Sequence, residues 1–115
     1  MSRSEIEYLH HIRDEARYLV EASREVSWEE FVADETLKRA FVRSIEGVGE
    51  ATKNLSIEVR DRHPEVQWRA MAGMRDRLIH GCFGVDYEIV WELATEKAPA
   101  LNDAISTILD EERAA

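Results

Sequence analysis

The chain lacks most of the devices by which small proteins compensate for a small core. Its single cysteine, Cys82, cannot form an intrachain disulfide, and without a secretion signal a reducing, cytoplasmic location is the default expectation. No apolar run lasts more than a few residues before a charge interrupts it. The start, MSRSEIEYLHHIRDEAR, is charged throughout, so neither a signal peptide nor a membrane-spanning helix is expected. Walker loops, nucleophile elbows and zinc spacings are absent, and no cofactor is implied. Basic charge is also in deficit: 15 Lys and Arg stand against 24 Asp and Glu, a net charge of -9 at pH 7. That balance speaks against a protein that coats nucleic acid indiscriminately, because such proteins gain affinity by neutralising phosphates. With 115 residues, 44% of them hydrophobic, the chain suffices for one modest core, so residues 1–115 read as a single domain.

What is present points to helix. Only five glycines and two prolines interrupt a chain rich in Glu, Ala, Arg and Leu. Ile6, Leu9, Ile12, Ala16, Leu19 and Val20 recur at three- and four-residue steps, which predicts a helix from about Ser4 to Arg24. Ser27 with Glu30 forms a capping-box pattern for a short turn over Trp28–Ala33, and Asp34 is a natural N-cap for a helix from about Glu35 to Asn54. Gly47 and Gly49 inside that helix suggest tight approach of another helix or a local bend. Ser56 can cap a short following turn, and Pro64 stops helix at His63. A further helix is predicted over about Glu65 to His80, with Trp68, Met71, Ala72, Leu78 and Ile79 inward and Gly81 as its C′ residue. Asp86 caps another from Tyr87 to about Lys97, and Pro99 suits the first turn of a last one. The expectation is an all-α antiparallel bundle of four or five principal helices joined by short connections.

Charge is unevenly spread over that bundle. Residues 1–59 carry 8 basic and 13 acidic groups, residues 60–80 carry 5 and 3, and residues 81–115 carry 2 and 8. The one net positive window holds Arg60, Arg62, Arg69, Arg75 and Arg77 with His63 and His80, and its bland reading is a solvated helical face. The candidate site is its end, Met74-Arg75-Asp76-Arg77-Leu78-Ile79-His80-Gly81-Cys82. Asp76 and His80 are four apart, so on a helix they share a face, and a carboxylate beside an imidazole orients it and favours its charged form. Arg75 and His80 fall about 140° out of alignment at ~100° per residue, so a shared site needs unwinding at Gly81 or a second subunit. These residue types suit cleavage of RNA without a metal. Histidine exchanges protons with the ribose 2′-hydroxyl or the leaving oxygen, and arginine stabilises charge growing on the phosphoryl oxygens.

Elsewhere the bland readings prevail. His10, His11 and Asp14 lack a third ligand at suitable spacing for a metal. His63 reads as a loop residue, at best an auxiliary RNA contact. Trp28, Trp68 and Trp91 sit within or beside apolar stripes and read as anchors of the core or a dimer interface rather than platforms for bases.

The stretch from Trp68 through Trp91, WRAMAGMRDRLIHGCFGVDYEIVW, resembles the HepT-like family of HEPN-domain proteins. So do Tyr8-Leu9-X-X-Ile12, the Ser27-Trp28-Glu29-Glu30-Phe31 turn, Arg43-Ser44-Ile45-Glu46 with Gly49-Glu50-Ala51, and the Arg62-His63-Pro64-Glu65 break. The likeness spans nearly the whole chain and implies a HEPN-like fold. It further implies a homodimeric, metal-independent endoribonuclease of toxin–antitoxin type whose partner is a minimal nucleotidyltransferase antitoxin. Family dimers bring two Arg-X4-His motifs into one cleft. On that resemblance Arg75 and His80 take the catalytic roles and Asp76 supports them. Arg77, one turn from His80 on the expected helix, and Arg69 are added as RNA contacts. One departure stands out: where the family commonly continues His-X-Tyr, with a tyrosine that the nucleotidyltransferase adenylylates, this chain has Cys82. A thiol is no equivalent acceptor, and as a structural residue Cys82 is a small apolar group after a helix end. The competing reading is a non-catalytic substrate-binding or regulatory partner of the nucleotidyltransferase, with a purely structural dimer behind it.

Overall fold

In the computed structural model, which describes residues 1–79 and 84–114, eight α-helices and one π turn carry the fold. They are α1 (Arg3–Arg24), α2 (Trp28–Ala33), α3 (Glu35–Lys53), α4 (Ile57–Arg62), α5 (Trp68–Ala72), α6 (Met74–Leu78), α7 (Tyr87–Glu92), the π turn (Leu93–Lys97) and α8 (Ala98–Ala114). The only β pairing among the described residues is an isolated antiparallel bridge between Ile79 and Val85. No described helix is long and apolar enough to cross a membrane.

The helix starts follow side-chain chemistry. Ser27 accepts from the Glu30 N–H at 3.1 Å while the Glu30 carboxylate accepts from the Ser27 N–H at 3.0 Å, closing the capping box. Asp34 accepts from the Leu37 N–H at 3.0 Å, Ser56 from the Val59 N–H at 3.2 Å, and Asp86 from the Glu88 and Ile89 N–H groups. Each cap satisfies an N–H that has no partner within its own helix.

α1 is the central rod and packs against both α3 and α8. Its pairing with α3 is antiparallel: Glu5 lies by Ser56 beyond the end of α3, His11 by Gly47, the Glu15 carbonyl by Ser44, and Tyr18 by Phe41. The stripe expected from periodicity is buried: Leu9, Ile12, Ala16, Leu19 and Val20 from α1 meet Phe41, Ile45 and Val48 from α3. Gly49 bears out the expected close approach, since a Cβ there would lie 3.2 Å from the Met71 carbonyl oxygen of α5. The tryptophans belong to the core. Trp68 is buried and donates its ring N–H to the His63 carbonyl at 2.8 Å, while Trp28 and Trp91 pack around Phe31.

Two boundaries differ from expectation. The helix predicted over Glu65 to His80 is two short helices, α5 and α6, that begin only at Trp68, divide at Gly73 and end at Leu78. Pro64 ends the preceding helix as expected, with α4 capped at His63, but the next helix starts three residues later than Glu65. Gly73, without a Cβ, turns its N–H to both the Arg69 and Met71 carbonyls. Ile79 is extended (φ -104, ψ 123), half-exposed rather than inward, and paired with Val85, while the Leu78 carbonyl accepts from the Asp86 N–H at 2.8 Å. Conversely, no break separates Lys97 from Pro99: the chain is helical without interruption from Tyr87 to Ala114. Proline has no N–H to offer the preceding turn. The wider π turn absorbs that defect, with the Ala98 N–H reaching back to the Leu93 carbonyl and the Thr95 hydroxyl donating to the Trp91 carbonyl at 2.8 Å. The bundle therefore has three long rods, α1, α3 and the α7–π–α8 run, with four short helices fitted onto them.

Two consequences can be measured. Gly49→Val forces a side chain against the α5 backbone and is expected to cost about 1–3 kcal/mol, read as a lower denaturation midpoint; an unchanged midpoint would refute the close packing. Burial pushes the Glu5 carboxyl up, but bonds from the Ser56 hydroxyl and N–H, the Ser2 hydroxyl and the N-terminal charge outweigh it and hold it below its ordinary value. A depressed folded-state pKa gives stability that is present above the unfolded pKa and lost as pH falls through the folded one. Glu5→Gln should therefore be less stable than wild type in urea at neutral pH, with the difference closing as the pH falls below the ordinary carboxylate range.

Candidate functional site

The helix α6 places its residues on two sides of one backbone. Leu78 is buried in the core and Met74 half-buried beside it, which turns Arg75, Asp76 and Arg77 outward. Arg75 and Arg77, two residues apart, are separated by about 200° around the helix axis. The Arg75 Nε lies 3.3 Å from the Glu46 carboxylate on α3, with the arginine side chain 64% exposed. Arg77 lines a cleft between α5–α6 and the π turn with α8. Asp76 is exposed in the first turn of α6.

Arg69 lies apart from these groups. It is exposed on α5 and borders a shallow depression shared with Arg60, Pro64 and Trp68. Arg60 is already committed, donating to the Thr52 carbonyl at 2.8 Å.

His80 and Cys82 lie outside the described residues, as does Gly81, and the structure therefore brings neither to Arg75. It does describe what flanks them. The Ile79–Val85 bridge and the hydrogen bond from the Asp86 N–H to the Leu78 carbonyl pin both ends of the intervening segment, and Gly84 takes a left-handed conformation (φ 80) that suits glycine. This geometry corrects the helical arguments for Asp76 and Arg77. Both assumed one helix running through Ile79 to His80, and α6 ends at Leu78 with Ile79 extended. The reason is local: β-branched Ile79 gains a bridge partner, and Asp86 captures the carbonyl that a longer helix would have used.

His63 is also corrected. It sits in the connection before Pro64, as expected, but it is only 7% exposed and so offers no contact to RNA. Its ring nitrogens face three carboxylates, with Nδ1 3.6 Å from Glu65 and 4.0 Å from Glu111, and Nε2 3.6 Å from Glu112. The ring thereby ties the connection after α4 to the end of α8. Around His10 and His11, Arg13 contacts the His10 Nδ1 at 3.1 Å, and among the described residues no group of three His, Cys, Asp or Glu side chains is arranged to hold a metal ion.

Sequence reasoning missed Glu46, Lys97 and the cleft beside Arg77. Glu46 meets Arg75 only through the packing of α6 on α3, a contact that no local spacing announces. Lys97 was hidden by the expected break before Pro99.

Exposed arginines on a short helix beside a pinned connection, on an all-α frame, define a helical protein with cationic side chains at its surface. Comparison with known proteins identifies the class. Residues 9–108 match the family described as Ribonuclease HepT-like. The chain is 48% identical over 106 residues to "Putative RNase TTE0752" of Caldanaerobacter subterraneus subsp. tengcongensis, covering 92% of this chain and 95% of that one. It is 41% identical over 101 residues to "Probable ribonuclease HepT" of Thermococcus cleftensis, covering 88% and 92%. It is 36% identical over 92 residues to "Putative RNase MJ0127" of Methanocaldococcus jannaschii, covering 80% and 76%. No solved structure matches. The chain belongs to the HepT-like ribonuclease family.

The Arg75–Glu46 pair is open enough to water that its contribution to folding should be small. Glu46→Gln is expected to shift unfolding stability by less than about 1 kcal/mol in a urea titration; a larger loss would show that the contact holds α6 in place.

Proposed function

We propose that the protein is a metal-independent endoribonuclease, the toxin of a toxin–antitoxin pair, cutting RNA with tRNA among its candidate substrates. The carrying observation is membership of a ribonuclease family together with Arg75, exposed on α6 a few residues before His80. In this reading His80 takes the proton from a ribose 2′-hydroxyl. The freed oxygen attacks the adjacent phosphorus, the 5′-oxygen leaves and is protonated, and a 2′,3′-cyclic phosphate remains. Arg75 stabilises the charge that grows on the phosphoryl oxygens, and Asp76 supports the site. A homodimer supplies two Arg-X4-His motifs, so that one histidine acts as base and the other as acid. Arg77 and Arg69 serve as phosphate contacts.

Glu46 gives this mechanism a constraint. The Arg75 guanidinium has five N–H donors in a planar fork. Glu46 approaches Nε, leaving the terminal nitrogens to a phosphate. The cognate nucleotidyltransferase is the proposed antitoxin. Because Cys82 stands at the family's tyrosine position, restraint by binding, with no adenylylation there, is the form of control proposed for this chain. The net acidic charge and Cys82 also favour a second reading, a non-catalytic regulatory subunit of that nucleotidyltransferase, which requires a stable complex and no cleavage.

Purified protein is expected to cut RNA in the presence of a chelator, with rates that fall as ionic strength rises. Arg75→Ala and His80→Ala should each lower the rate by about 10²-fold or more. Cleavage by either variant at the wild-type rate would overturn the mechanism, and its absence in wild type, with complex formation retained, would favour the second reading.

A further inference from the structure

Beside α6 the packing leaves a cleft of about 300 Å³. Its apolar lining comes from all three long rods and from α5 and α6: Leu19 of α1, Val48 of α3, Met71 of α5, Met74 of α6, Leu93 of the π turn and Leu101 of α8. It stays open because the residues that face across it are small, Ala70 on one side and Ala98, Ala100 and Ala104 on the other. Four polar side chains complete the lining. Glu65 and Gln67 enter from the connection before α5, Arg77 from α6, and Lys97 from the π turn. Neither Arg77 nor Lys97 has a hydrogen bond or ion pair from its side chain among the described residues.

This set of groups selects among occupants. A volume of about 300 Å³ is at the lower end of small-ligand pockets and leaves no room for a helix ~10 Å across. A fatty acid would suit the apolar walls and the two cations but would set its chain or carboxylate against Gln67 and against Glu65, of which only one oxygen faces His63, at 3.6 Å, and the other needs a partner once covered. A nucleotide uses all three chemistries: flat apolar faces for the walls, polar edges for a carboxylate and an amide, and a phosphate for the cations. The cleft also adjoins the candidate active helix, with Arg77 on the side of α6 away from the Arg75–Glu46 contact.

We infer that the cleft is a nucleobase subsite, which receives one unstacked base of an RNA strand crossing α6, with a neighbouring phosphate on Arg77 and Lys97. It deepens the ribonuclease reading above and rests on it for its substrate class. The Glu65 carboxylate accepts only, so bases carrying an exocyclic amino group, those of AMP, GMP and CMP, are favoured over UMP.

The chain's three methionines make the test direct. Met71 and Met74 line the cleft and Met1 does not, so methyl-labelled methionine yields two reporter signals and an internal control. Titration of the full chain with millimolar AMP, GMP or CMP is expected to shift the Met71 and Met74 signals and leave Met1 in place, with UMP and ribose 5-phosphate binding at least about tenfold more weakly. Ala100→Phe, an exposed position that can be filled without disturbing the core, should abolish the shifts, and Arg77→Gln should weaken the nucleotide by about tenfold. Several results would overturn the assignment: no shift with any nucleotide, equal shifts from ribose 5-phosphate or from octanoate, or shifts that survive in Ala100→Phe. It would equally fall if Ala100→Phe dissociated a dimer while nucleotides had no effect, which would give the cleft to a second copy of the chain. Because binding is read without turnover, and should persist in His80→Ala, failure of the cleavage reaction and failure of the subsite are separately visible.

Discussion

The antiparallel seam between α1 and α3 is the constraint on which the rest of the molecule depends. It buries the α1 stripe of Leu9, Ile12, Ala16 and Leu19 against Phe41, Ile45 and Val48, and their aliphatic and aromatic area supplies much of the hydrophobic driving force available to so short a chain. Once the seam is set, the outer face of α3 becomes a platform. Gly49 lets the α5 backbone settle onto that platform at van der Waals distance, and α6 follows at an angle that brings Arg75 to Glu46. The other side of α1 receives α8, and the space between the α5–α6 pair and α8 is the cleft that Arg77 and Lys97 border.

The division of α5 from α6 matters to the site more than their lengths suggest. A single uninterrupted helix would carry Arg75 and His80 at fixed and unfavourable angles. Ending α6 at Leu78 releases the chain from that geometry, and the Ile79–Val85 bridge with the Asp86 hydrogen bond returns it to the frame at once. Asp86 then works twice, its N–H closing the connection and its carboxylate capping α7. An extended residue, a bridge and a helix cap thus flank the segment that follows Arg75 and α6.

The frame was legible in the sequence because its signals are local. The apolar steps from Leu9 to Val20, the capping residues Ser27, Asp34, Ser56 and Asp86, and the stop at Pro64 each act within a turn or two of themselves. In each misreading a local preference was overridden, by neighbouring backbone at Pro99 and Ile79 and by the far end of the chain at His63. Pro99 normally marks a boundary, but a π turn accommodates it, and a rod continues where a break was expected. Ile79 fits a helical stripe by spacing, but Val85 and Asp86 draw it out. His63 looks like an ordinary residue before a proline, but its ring is buried and faces Glu111 and Glu112 from the far end of the chain. Of the candidate site, the arginines and their exposure were readable, whereas Glu46 and the cleft arise only when α6 lies across α3.

The same packing refines the meaning of charge in this chain. The net positive stretch over residues 60–80 contains five arginines, and counted along the sequence they are equivalent. In the fold they are not. Arg60 is committed to the Thr52 carbonyl, and Arg75 shares its charge with Glu46. Arg62, Arg69 and Arg77 are left without side-chain partners among the described residues, and Lys97 joins Arg77 at the cleft from outside the stretch. On the ribonuclease reading proposed above, an anionic strand approaching a molecule of net charge -9 meets repulsion from its acidic groups and attraction from these few cations, which are spread over α4, α5, α6 and the π turn. The acidic total and the basic patch are therefore complementary. On that reading the first disfavours binding elsewhere on the protein, and the second acts over a short range set by the Debye length, about 8 Å in physiological salt.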